Sequence, residues 1–127
     1  MNLVDSCGWL EYLAGGRNAA YFAKPIEDTA RLIVPTVCIY EVFKRVMQQA
    51  GRSAALEVVA AMRQGKVIPL SENLALEAAD LGSTLKLALA DSIILATARA
   101  EEATVWTQDA HFKSLPGVAF APVKPSR

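Results

Sequence analysis

Histidine and cysteine are scarce in this chain of 127 residues, which holds one histidine, His111, and two cysteines, Cys7 and Cys38. The two thiols fit neither a CxxC pair nor a zinc-ligand spacing, which excludes a cysteine-rich metal site. They read as reduced thiols of a cytoplasmic protein. Neither cysteine has a histidine near it in sequence to act as its base, so thiol catalysis is set aside. Long apolar runs are missing as well. None approaches the ~20 residues that a membrane-spanning helix needs. The start Met1-Asn2-Leu3-Val4-Asp5 lacks the basic opening and apolar stretch of a secretory signal. Excess charge of either sign is also absent. Thirteen basic and thirteen acidic residues cancel, so no global positive field draws in nucleic acid. That leaves open a protein that grips phosphate through metal ions held by carboxylates. Repeats, linkers and low-complexity segments are absent too. We expect one domain over residues 1–122 and a short tail over 123–127.

Apolar residues are plentiful. At 53% of the chain they suffice for a core and leave apolar surface over, since a small domain cannot hide all of it. A homodimer or a bound partner is the expected consequence.

Strand and helix signals alternate from end to end. Leu3-Val4 reads as a short buried strand ending at Asp5, and Ser6 starts a helix that Gly15-Gly16 stops. A second helix covers residues 18 to about 26, with Pro25 weakening its end. Arg31-Leu32-Ile33-Val34 is a strand closed by Pro35. The spacing of Ile39, Val42, Phe43, Val46 and Met47 predicts a helix over 36–50 with those residues buried. A further helix covers 53–64, a strand 66–70, and Ser71 caps a helix through Leu74, Ala78 and Leu81. Asp91 opens a helix to about Glu101. Thr104-Val105-Trp106-Thr107 and Val118-Ala119-Phe120 are the last strands. This alternation implies an α/β domain, with a central, mostly parallel sheet flanked by helices on both faces. Sites in such folds gather beyond the carboxyl ends of the strands.

Four acidic residues stand where acids are costly. Asp5 ends Asn2-Leu3-Val4. Glu41 interrupts Val37-Cys38-Ile39-Tyr40 and Val42-Phe43. Asp91 splits Leu87-Ala88-Leu89-Ala90 from Ser92-Ile93-Ile94-Leu95. Asp109 follows Thr104-Val105-Trp106-Thr107. A carboxylate among core-forming residues needs compensation. Asp5, Asp91 and Asp109 each also suit helix capping. Glu41 does not, because it lies five residues into its helix. A pair with Lys44 or Arg45 would stabilise it by only about 0.2–0.5 kcal/mol. Asp91 shares a stripe with Leu95 and Ala98, which turns it inward. Asp28 and Asp80 lie in polar surroundings and read as ordinary solvated residues.

Four carboxylates converging on one pocket repel one another, by roughly 4 kcal/mol per pair at ~4 Å and an effective dielectric of 20. A divalent cation removes the conflict, and an all-oxygen site suits Mg²⁺ or Mn²⁺ better than zinc. Such ions hold a phosphodiester and activate water. Ser6 and Thr107, beside Asp5 and Asp109, are candidate supporting or phosphate-contacting hydroxyls, with capping as the alternative. Lys44, Arg45, Lys86 and Arg99 are candidate phosphate contacts. His111 has no partner motif and is assigned a surface or turn role.

Four segments together resemble the PIN domain, and within it the VapC-type ribonuclease toxins of bacterial toxin–antitoxin pairs. They are Leu3-Val4-Asp5-Ser6, Tyr40-Glu41-Val42, residues 89–98, and Thr107-Gln108-Asp109-Ala110-His111-Phe112. The likeness spans essentially the whole chain, and residues 89–98 are its most specific part. It implies that Asp5, Glu41, Asp91 and Asp109 bind Mg²⁺ or Mn²⁺ and support RNA hydrolysis by metal-activated water. It implies supporting roles for Ser6 and Thr107. It also implies a small cytoplasmic dimer, a cognate antitoxin covering the acidic groove, and a structured RNA such as tRNA or rRNA as substrate. Cys7 departs mildly from the family, where another small polar residue is common.

Two other classes compete. A receiver domain also pairs a parallel α/β fold with an acidic Mg²⁺ pocket, and Lys124-Pro125 resembles its closing pair. No aspartate lies between Thr29 and Ala79, where its phosphoacceptor belongs, and no acidic pair follows the first strand. A catalytically silent PIN-like module that binds RNA or protein is the remaining alternative.

Overall fold

The computed structural model describes residues 1–125. The last two residues of the expected tail, Ser126 and Arg127, lie outside the described residues. Five strands form one sheet: β1 (Asn2–Val4), β2 (Leu32–Pro35), β3 (Lys66–Ile68), β4 (Thr104–Thr107) and β5 (Val118–Phe120). Six helices connect them: α1 (Ser6–Leu13), α2 (Ala19–Glu27), α3 (Thr36–Ala50), α4 (Arg52–Met62), α5 (Glu72–Leu85) and α6 (Leu89–Ala100). Short 3-10 turns occupy Thr29–Arg31 and Ala110–Phe112. The sheet order is β3-β2-β1-β4-β5, and every pairing is parallel.

The strands are short and apolar because both faces are covered. Leu3, Val4, Leu32, Ile33, Val34 and Val105 are all 1% exposed or less, as parallel sheets require. From β1 through β2 to β3 the chain steps one way across the sheet. From β3 it returns beyond β1 to β4 and continues to β5. Right-handed crossovers put the connections of these two progressions on opposite faces. The direction reverses between β1 and β4, whose register pairs Leu3 with Val105 and Val4 with Trp106. The Asp5 amide carries this ladder one step further, donating to the Trp106 carbonyl at 3.2 Å. A crevice at the carboxyl ends of adjacent strands opens at such a reversal.

Three details depart from sequence expectation. The third strand stops at Ile68, because Pro69 has no N–H to extend the ladder. Helix α3 buries Cys38 and Val42 most deeply, while Met47 is 37% exposed and Phe43 half-buried. The inward face is thus rotated toward Cys38, and the Arg52 guanidinium lies over the Phe43 ring at 5.5 Å. Helix α6 starts at Leu89, so Asp91 sits inside its first turn instead of opening it. From Ser92 to Ala98 every residue of α6 is buried, making it the central helix of the fold. Among the described residues no single helix is long and apolar enough to cross a membrane.

Candidate active site

Asp5 follows β1 and begins α1. Its Oδ1 accepts the Gly8 amide at 2.8 Å, capping the helix. Its Oδ2 accepts the Thr107 hydroxyl at 2.5 Å. The Cys7 thiol donates across both oxygens at 3.1 Å. Capping and a site role therefore fall on one carboxylate. Asp5 is 3% exposed. Burial raises its pKa to about 6, the three hydrogen bonds pull it down, and the nearby Asp109 pushes it up. The Cys7 thiol is pushed up to about 12, chiefly by burial and then by the Asp5 charge. It stays protonated and serves as a hydrogen-bond donor, consistent with setting thiol catalysis aside.

Thr107 is fully buried at the end of β4. Its hydroxyl accepts the Asp109 amide at 2.9 Å while donating to Asp5. One oxygen thereby ties the loop after β4 to the loop after β1. Asp109 caps the following turn through the His111 amide at 2.9 Å. Its Oδ1 also meets His111 Nδ1 at 3.0 Å, and that nitrogen lies 4.0 Å from Asp91 Oδ2. Asp91, Asp109 and His111 each offer a ligand atom within 4.8 Å of the others. Burial raises the pKa of Asp91, Asp109 and Glu41 raise it further, and His111 opposes them. Glu41, one turn into α3, accepts the Ser6 hydroxyl at 2.5 Å.

Asp5, Ser6, Glu41, Asp91 and Asp109 line one cavity of about 540 Å³, with Thr107 beneath it. Arg45 lines the same cavity, and Lys44 lines an adjoining depression. Lys86 and Arg99 line neither. Lys86 sits on the exposed turn between α5 and α6. Arg99 lies two turns along α6 from Asp91, about 12 Å down the axis. Both are exposed and solvated.

Sequence reasoning passed over three site residues. His111 has a turn role through its amide, but its ring also reaches two of the acids. Glu11 lines the cavity on the α1 stripe of Cys7, Leu10 and Ala14, a spacing visible in the sequence. Its Oε2 accepts the Asn18 amide at 2.9 Å. Buried Asn18 donates from Nδ2 to Gln108 Oε1 at 3.0 Å and to the Pro122 carbonyl at 2.9 Å. It braces the loop that carries Asp109, and no local pattern signals that.

The donor set fits a hard divalent cation. Among the described residues no lysine or arginine pairs with Asp5, Glu41, Asp91 or Asp109. Like charges raise the pKa of both Asp5 and Asp91. An uncompensated cluster of carboxylate oxygens is the ligand chemistry that Mg²⁺ and Mn²⁺ take.

Comparison with known proteins identifies the fold. The structure is similar to a toxin–antitoxin complex from Klebsiella pneumoniae, with TM-score 0.81 and 22% identity over 94% of this chain and 96% of that one. It is similar to Mycobacterium tuberculosis VapC20, a sarcin–ricin loop cleaving toxin, with TM-score 0.76 and 15% identity over 98% and 100%. DNA-bound VapBC from Salmonella typhimurium gives TM-score 0.72 and 15% identity over 96% and 98%. No curated protein matches by sequence. The PIN domain family profile matches residues 3–118, nearly the whole sequence, and the chain belongs to the PIN domain family.

Proposed function

We propose that this protein is a metal-dependent endoribonuclease and the toxin of a toxin–antitoxin pair. One observation carries the reading. Four carboxylates from four separate segments line one cavity where the sheet reverses direction, and no lysine or arginine among the described residues neutralises them.

Asp5, Asp91 and Asp109 would hold Mg²⁺ or Mn²⁺, with Glu41 completing the acidic wall and His111 Nδ1 at the rim. The ion, once bound, supplies a nucleophilic water and charge stabilisation at a phosphodiester. Thr107 and Cys7 donate to Asp5 and fix its orientation, as outer partners of metal ligands do. The Ser6 hydroxyl does the same for Glu41. Arg45 offers a guanidinium to the substrate phosphate, and Lys44 an ammonium just outside. Together these groups place phosphate in a chain with no overall positive charge.

The relatives support the wider role. Several are toxin–antitoxin complexes, and one is described as cleaving the sarcin–ricin loop. A cognate antitoxin and a structured RNA of the tRNA or rRNA class are therefore the proposed partners, and the cytoplasm the proposed location. Leu56, Leu76 and Leu89 are at least 50% exposed. They supply apolar surface for the antitoxin or for a homodimer.

The test is incubation of total cellular RNA with purified, antitoxin-free protein and Mn²⁺ or Mg²⁺. We expect discrete fragments that vanish with chelator and with Asp91→Asn or Asp5→Asn. Cleavage by either variant at the parent's rate would overturn the site. Intact RNA throughout, from folded protein that binds Mn²⁺, would favour the catalytically silent module.

A further inference from the structure

Beside the acidic cavity, on the outer face of α3, lies a second depression of about 340 Å³. It is lined by Tyr40, Glu41, Lys44, Arg45 and Gln48. It shares Glu41 and Arg45 with the acidic cavity, so the two form one continuous surface. The residues fall in two neighbouring rows of the helix, Tyr40-Lys44-Gln48 and Glu41-Arg45, each with a spacing of four. Tyr40 is 62% exposed, while Cys38 and Val42 of the same helix are fully buried. The core face of α3 is complete without the tyrosine, so packing does not account for it. The Lys44 ammonium stands 5.7 Å from the centre of the Tyr40 ring. An aromatic plane and a cation held this close are the pair a nucleotide engages, base to ring and phosphate to ammonium.

We infer that this depression seats an unpaired nucleotide next to the scissile phosphate, with its base stacked on Tyr40 and its phosphate held by Lys44 and Arg45. The inference rests on the ribonuclease reading and adds to it the side chains that position the nucleotide beside the cut. In a helix each base is covered by its stacked neighbours, and only a splayed base offers a free face to an aromatic side chain. Charge favours this occupant over an apolar protein surface. Lys44 stands over the ring and Arg45 lines the same depression, while Glu41 turns toward Ser6 through its hydrogen bond.

The experiment uses a short single-stranded oligoribonucleotide spanning the cleavage site mapped for the parent protein, together with versions made abasic at each flanking position. KM and kcat are measured with Mn²⁺. Tyr40→Ala should raise KM on the order of 10-fold with kcat little changed. Tyr40→Phe and Tyr40→Trp should restore it. One abasic position should raise the parent's KM by a similar factor and leave that of Tyr40→Ala unmoved. An unchanged KM for Tyr40→Ala overturns the inference and leaves the ribonuclease reading standing. So does a Tyr40→Phe protein as weak as Tyr40→Ala. So does equal cleavage of the oligomer annealed to its complement, or a Tyr40→Ala defect seen only as lost dimer in sedimentation. A parent that cuts no RNA overturns both readings together.

Discussion

Asp5 is held by three donors, yet its acidity still falls, because burial outweighs them. Its pKa is raised from the ordinary 3.8 to about 6. A carboxyl with a higher pKa folded than unfolded binds its proton more tightly in the folded state. The stability it contributes is complete below about pH 4 and is lost as pH rises through about pH 6. Asp91 shifts in the same direction. The metal-free protein should therefore lose on the order of 3 kcal/mol across that window from Asp5. Thermal denaturation with chelator present measures this, and Asp5→Asn should flatten most of the slope. A Tm that climbs between about pH 4 and about pH 6 would contradict it.

Helix α1 carries a glycine in its first turn, where alanine would raise helix propensity by about 1 kcal/mol. Close packing explains the choice. A Cβ on Gly8 would lie 2.7 Å from Val4 Cγ1 and 2.8 Å from Phe22 Cε1, and both neighbours are fully buried. The Gly8 amide also has to reach Asp5. Gly8→Ala should destabilise the protein by about 1–3 kcal/mol in urea unfolding despite its better propensity. Gly82→Ala in α5 is the comparison, since its Cβ would come no closer than 3.2 Å, to Ser92 Oγ, with Ser92 Cβ at 3.3 Å and the Leu87 carbonyl at 3.5 Å. Equal losses at the two positions would rule out close packing at Gly8 as the cause. At this scale the sequence is highly legible. Predicted and observed helices agree within two residues at most ends, because the apolar spacing and glycine stops act locally. The exceptions, the face of α3 and the shortened β3, were set by the neighbours each element meets.

Across the whole molecule, the reversal between β1 and β4 brings residues about 100 positions apart into one carboxylate cluster. A folded chain that concentrates uncompensated charge is destabilised by it, and an ion that binds only the folded form relieves it. Mn²⁺ should raise Tm, stabilising by about 2.7 kcal/mol at a hundredfold excess over Kd. The gain should be larger at about pH 7 than at about pH 5, because Asp5 must release its proton to ligate. Differential scanning calorimetry at the two pH values checks this. Equal shifts at both would remove Asp5 from the ligand set.

The order of strands and helices and the α/β class were settled by the sequence alone, and the four acids that line the cavity stood out in it. Periodicity, caps and breakers act between residues a few positions apart, and an acid inside an apolar run stands out without coordinates. Tertiary structure alone decided who meets whom. Thr107 beneath Asp5, His111 beside Asp91 and Asn18 bracing Gln108 have no local signature. These contacts depend on which strands lie adjacent and on the face each helix turns inward. Those choices are made by burial of the whole sheet at once, which no short stretch of sequence encodes.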